Sequence, residues 1–151
     1  MADRYTHFTN LAYTGKIAHG GKGSEVPLFT GWDKTNTDIT VGAESSSVVN
    51  VAVQFKDRAD ADMTTPVYTT IYFTDDAAGQ TLPTALDSVA IGTDGTIVKE
   101  VTAGILYETV SEADGDLDLD LTQNAADTLY MHIVCPDGSL KTSSVITFTA
   151  A

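Results

Sequence analysis

One cysteine, four prolines and eight lysines and arginines are all that this chain of 151 residues holds of those types, against 21 aspartates and glutamates. With Cys135 alone, no intrachain disulfide can form, and its place in an alternating apolar run marks it as a buried, inert thiol. The shortage of bases leaves a formal net charge of -13. Like charge repels, so neither nucleic-acid phosphates nor an anionic lipid surface suits most of this protein. No apolar run is long enough to cross a membrane, and Met1 to His7 contain no apolar signal core. No Asn-x-Ser/Thr acceptor occurs either. These absences fit synthesis and folding in a reducing cytoplasm.

Familiar chemistry is missing too. His19-Gly20-Gly21-Lys22-Gly23 lacks the spacing of a phosphate loop, because Lys16 stands where the first glycine belongs and Gly23 follows the lysine. His7, His19 and His132 have no metal-ligand spacing to one another or to Cys135. His132 is expected on an outer sheet face between Tyr130 and Val134. There is no Gly-x-Ser-x-Gly elbow, and carboxylate pairs are too common here to mark acid-base catalysis. The residues imply no enzyme, cofactor or metal.

What is present is alternation. In Asp116-Leu117-Asp118-Leu119-Asp120-Leu121, an extended backbone puts three leucines on one side and three aspartates on the other. A helix would scatter them, so this is a half-buried strand with a wet acidic face. Carboxylates two apart on such a face are about 7 Å from each other, too far to chelate calcium unless a loop folds over them. Glu112 and Asp114, in the preceding turn, come nearest to a calcium arrangement.

Similar alternation predicts strands at residues 48–55, 67–73, 89–91, 96–102, 105–110 and 129–135, with turns at Asp57 to Asp60, Asp75 to Gly79 and Gly92 to Gly95. A two-residue type I′ turn at Asp137-Gly138 would set Cys135 opposite Leu140, Ile133 opposite Thr142, Met131 opposite Ser144 and Leu129 opposite Ile146. A bulge near Ser143-Ser144 would shift that register by one and turn Val145 inward. Seven or eight short strands separated by turns predict an all-β, immunoglobulin-like Greek-key β-sandwich, with a small barrel as the structural alternative.

The first 45 residues differ from the rest, and residues 46–151 are taken as the sandwich. Arg4, Lys16, Lys22 and Lys34 against Asp3, Glu25 and Asp33 give residues 1–34 a net +1, leaving -14 on the remainder. Aromatics appear at Tyr5, Phe8, Tyr13, Phe29 and Trp32 without a sustained period. Rings in such a segment cannot bury themselves, so an N-terminal arm or small β module that packs on the body, a second copy or a partner is expected.

Ser111-Glu112-Ala113-Asp114-Gly115-Asp116-Leu117, Cys135-Pro136-Asp137-Gly138-Ser139-Leu140 and Val145-Ile146-Thr147-Phe148, together with Val49 to Gln54, Thr74 to Gly79 and Ala90 to Gly95, resemble small immunoglobulin-like structural proteins of tailed bacteriophage heads. The resemblance spans about residues 46–149. It implies a non-enzymatic decoration or cement protein on the capsid surface of a virion, made in the host cytoplasm and partnered by the major capsid protein or by further copies of itself, for instance as a trimer at a symmetry axis. On that reading Arg4, Tyr5, Phe8, Tyr13, Lys16, Lys22 and Trp32 are the contact residues, since aromatics and arginine are enriched in binding cores. The same rings could instead cover an exposed end of the sandwich. The competing class is a carbohydrate-binding or adhesive sandwich in which Tyr68, Tyr72 or Tyr130 stacks on a glycan, although outer-face tyrosines are also ordinary cross-strand neighbours.

Overall fold

The structure, a computed structural model, describes residues 16–19, 24–27 and 31–149. The chain divides into two compact units, Met1–Gly31 and Trp32–Ala151. In the first, β1 (Lys16–His19) and β2 (Ser24–Pro27) form an antiparallel hairpin, with Lys16 opposite Pro27 and His19 opposite Ser24.

The second unit is an all-β, immunoglobulin-like Greek-key sandwich. One sheet has the order β3-β4-β9-β6, from β3 (Asp38–Val41), β4 (Val48–Gln54), β9 (Asp116–Thr122) and β6 (Ser88–Ile91). The other runs β11-β10-β5-β8-β7, from β11 (Leu140–Thr142), β10 (Asp127–Val134), β5 (Tyr68–Thr74), β8 (Leu106–Val110) and β7 (Thr96–Thr102), with β12 (Ile146–Phe148) also on β10. The chain crosses repeatedly between sheets, so β9 lies between β4 and β6 while β5 lies between β10 and β8.

The alternation along β9 does what its period demands. Val49, Val51 and Val53 of β4 stand opposite Leu121, Leu119 and Leu117, all buried. Ile71, Phe73, Leu129, Met131, Ile133 and Ile146 meet them from the other sheet in one core. Each such side chain contributes about 1.5–3 kcal/mol on leaving water. On the wet side Asp116, Asp118 and Asp120 face Gln54, Ala52 and Asn50, so no carboxylate stands directly opposite another on β4.

Two expectations about boundaries need correction. The sandwich begins at Trp32, not at residue 46. Trp32 is only 7% exposed and packs edge-on against Phe55; Asp33 N–H donates to the Lys56 carbonyl at 2.7 Å, and β3 pairs with β4. Residues assigned to the N-terminal arm thus include an edge strand through Ile39 and Val41 and an aromatic plug for the core.

The hairpin after β10 also differs. Pro136 occupies the first central position of a turn closed by Gly138 N–H on the Cys135 carbonyl, with Gly138 at φ 79°, and Cys135 then bonds Ser139. Proline's fixed negative φ suits a type I turn followed by a left-handed glycine, which moves the register by one. Val134 therefore faces Leu140, Ile133 faces Lys141 and His132 faces Thr142. An extra residue between Thr142 and Ile146 restores the expected pairing of Leu129 with Ile146. Val145, expected inward if a bulge formed here, points out and is 47% exposed. Ser143 turns in instead, and its Oγ accepts from the Met131 N–H at 3.0 Å.

Candidate functional site

The sandwich presents two unlike outer faces. On the β3-β4-β9-β6 sheet the outward register positions include Asp38, Asp116, Asp118 and Asp120 among small and amide side chains. Asp38 is balanced by Lys56 at 2.8 Å. Asp120 accepts from Asn50 Nδ2 at 2.9 Å. Partial burial holds the carboxyls of Asp116 and Asp118 above their usual range, and the neighbouring Asp94 pushes both the same way. This face stores repulsion, which is tolerable where water can screen it.

In the turn that came nearest to a calcium arrangement, hydrogen bonds within the chain set the geometry. Glu112 N–H donates to the Asp116 carbonyl, Gly115 N–H to the Glu112 carbonyl, and the Asp114 carbonyl accepts from Gln54 Nε2 at 2.9 Å. Among the described residues, no group of three or more His, Cys, Asp or Glu is arranged to hold a metal ion.

The opposite outer face is sparingly charged. Its strand register makes rows of Tyr68, Val110 and Thr96 and of Thr70, Glu108 and Lys99 across β5, β8 and β7, sets Tyr72 between Leu106 and His132, and puts Val134 beside Leu140. Glu108 and Lys99 oppose each other across β8 and β7. Tyr68 is 56% exposed, and its hydroxyl bonds Glu108, which raises the phenol's pKa. Tyr130 is half-buried beside Thr74. Of the three tyrosines proposed for ring stacking, Tyr68 alone offers a broadly exposed ring.

Tyr72 is covered by a feature that the sequence pattern does not reveal. The loop from Asp75 to Thr81 folds back over β5 and β10, fastened by Asp75 N–H on the Thr81 carbonyl at 3.0 Å. The Asp76 carboxylate accepts from the N–H groups of Ala78, Gln80 and Thr81, and the Thr81 side chain together with these bonds holds its pKa low. Gly79, at φ 76°, lies so close that a Cβ there would press on the Tyr72 hydroxyl and Leu140 and would touch the His132 ring.

Beneath this strap His132, expected on an outer sheet face, is 0% exposed. Its ring stacks on Tyr72, with Nε2 2.6 Å from Thr74 Oγ1 and Nδ1 2.9 Å from Thr142 Oγ1. Thr74 Oγ1 donates its own proton to the Asp76 carbonyl at 2.7 Å. His132 Nε2 must therefore donate to Thr74, which leaves Nδ1 to accept from Thr142. Burial lowers the imidazole's pKa, opposed by Asp76. Period-two reasoning places His132 on the outer face correctly, but it cannot foresee a loop landing on top.

The expected contact residues divide. Trp32 belongs to the core and is not a free contact, because its ring fills the space beside Phe55. Lys16 opens β1. Arg4, Tyr5, Phe8, Tyr13 and Lys22 lie outside the described residues. Lys34, within the expected arm, belongs to the sandwich unit, where its ammonium donates to Ser139 Oγ at 2.6 Å on the β10–β11 turn.

No family model and no curated protein matches the chain. Among solved structures it is similar to a cohesin module from a family 33 glycoside hydrolase of Clostridium perfringens ATCC13124, at 20% identity and a TM-score of 0.40 over 77% of this chain and 97% of that one. It is also similar to the GAE domain of GGA2p from Saccharomyces cerevisiae, at 12% identity and a TM-score of 0.23 over 76% of this chain and 89% of that one.

Proposed function

We propose that this protein is a non-enzymatic structural component of a tailed-phage virion that binds the outside of the capsid as a decoration or cement protein. The observation that carries this reading is the unlike character of the sandwich's two outer faces. One bears Asp116, Asp118 and Asp120 in a row, and the other bears Tyr68, Val110, Leu106 and Val134, with Glu108 and Lys99 as the opposed charges on its strands and Asp75 and Asp76 on the strap that crosses it. A module seated on a protein lattice needs a contact area from which charge is depleted and a hydrated face toward solvent. The sequence resemblance over residues 46–149 supports the same assignment.

The major capsid protein is the partner on this reading, with neighbouring copies of the chain as additional contacts. Residues 1–31 contribute Arg4, Tyr5, Phe8, Tyr13, Lys16 and Lys22 as anchor candidates. Display of many copies on a symmetric shell lets modest affinity per copy suffice.

Sedimentation with particles assembled without this protein tests the assignment. The full chain should pellet with them saturably, and residues 32–151 should bind at least about tenfold more weakly if the first unit is the anchor. Equal binding by the truncated form moves the anchor to the Tyr68 face. Absence of binding by the full chain rejects the capsid role.

A further inference from the structure

The strap over His132 has the parts of a switch. Its carbonyl at Asp76 receives the Thr74 hydroxyl, its Gly79 carbonyl lies 3.4 Å from the Tyr72 hydroxyl that donates to it, and Gly79 itself seals the imidazole's edge. The chain Thr142 to His132 to Thr74 to Asp76 runs through single protons, each donor matched to one acceptor. A second proton on the ring would land on Nδ1, where the Thr142 hydroxyl now points its own. That hydroxyl would have to turn away, and a cation would stand in a closed chamber.

The groups that face the ring are few. From β5 come Tyr72 and Thr74, from β11 Thr142 and Leu140, and from the strap Gly79 and Asp76. Asp76 is the anion among them, and its carboxylate is already engaged by three strap N–H groups. It can attract an imidazolium through space, but full pairing would undo the turn that it organises. Hydrating the charged ring requires lifting the strap instead.

We propose that the Asp75–Thr81 strap is an acid-released latch whose trigger is protonation of His132. In mild acid the strap opens while the two sheets stay packed, and the Tyr72 ring and Leu140 become accessible on the sparingly charged face. The latch operates whether or not that face meets a capsid.

Amide hydrogen exchange on the full chain tests this directly. After correction for intrinsic rates, protection at Ala78 to Thr81 should fall several-fold between about pH 7.5 and about pH 5, because the open strap binds the imidazole's second proton more readily than the closed one does. Protection in β9 should hold over the same range. In His132→Gln, which keeps a donor toward Thr74 but cannot become a cation, the strap's protection should no longer depend on pH in that window. If this variant does not fold, nuclear magnetic resonance of the wild-type imidazole decides: a neutral ring protonated at Nε2 near pH 7.5, titrating below the ordinary value of about 6.5 in step with strap opening, supports the latch. Strap protection that stays constant, that falls together with β9, or that keeps its pH dependence in the folded His132→Gln protein overturns it.

Discussion

The ring of Trp32 stands edge-on to that of Phe55, with centroids 5.0 Å apart and planes at 69°. That contact joins the start of the sandwich to the end of β4, and it separates a structural tryptophan from the aromatics that precede it. Trp32→Ala should cost about 3–5 kcal/mol, the usual penalty for emptying an aromatic site in a core. Denaturant unfolding of full-length protein measures it. A loss within about 0.5 kcal/mol would show that the ring is peripheral.

Truncation should follow the same boundary. Removing residues 1–31 should leave the cooperative unfolding of the sandwich in place. Removing residues 1–41 also deletes Trp32 and β3, uncovers the edge of β4 and should abolish the transition or lower it steeply. Indistinguishable thermal melts for the two forms would contradict the placement of residues 32–41 in the fold.

Much of this architecture is legible in the sequence because two periods are strict. The Leu and Asp alternation of β9 and the Val alternation of β4 determine which side chains enter the core, and the observed register pairs them. Trp32 is hidden by composition, since it sits in a Gly-rich stretch without a period and reaches the core only by tertiary packing. The β10–β11 turn misleads because Asp-Gly suggests a type I′ turn, while the preceding Pro136 selects type I with a left-handed Gly138. The covered face is the least legible: Gly79 and His132 are far apart in the chain, and nothing local records that one lies on the other.

Repulsion on the acidic face should be measurable. Asp118→Asn keeps the side chain's shape, removes one of the mutually repelling charges and relieves a carboxylate that burial already disfavours. Its melting temperature near pH 7 should rise by about 1–3 °C in low salt, with a smaller gain in high salt. Because the folded pKa is raised, the wild type recovers the same stability as pH falls through that pKa, so the advantage should vanish in acid. A variant less stable than wild type near pH 7 would refute stored repulsion.

The turn between β3 and β4 is closed by reciprocal bonds between Ser45 and Val48, with Ser46 and Ser47 at φ 53° and 64°. Two successive left-handed residues define a type I′ turn, for which Asn-Gly is the favoured pair. Replacing Ser46-Ser47 by Asn-Gly should stabilise the sandwich by about 1 kcal/mol, read from denaturant midpoints. No gain would mean that the serine side chains contribute more than the strain they carry.

Tyr107 should be the last tyrosine to ionise. Burial, with Glu100 3.0 Å from its hydroxyl, pushes its pKa up to about 12. A phenol with a raised folded pKa supports the fold below its unfolded value of about 10 and loses that support as pH climbs toward the folded one. Spectrophotometric titration should show its phenolate appearing only as the sandwich unfolds. Reversible ionisation near pH 10 in folded Tyr107-containing protein, absent from Tyr107→Phe, would refute this burial effect.

The proposed role is tested most directly by cryo-electron reconstruction of particles carrying the protein. The expected map shows the sandwich on the outer capsid surface, with β9 and its aspartates toward solvent and the Tyr68 face or residues 1–31 against coat protein. Density confined to the tail or the particle interior, or a sandwich seated on its acidic face, would contradict it.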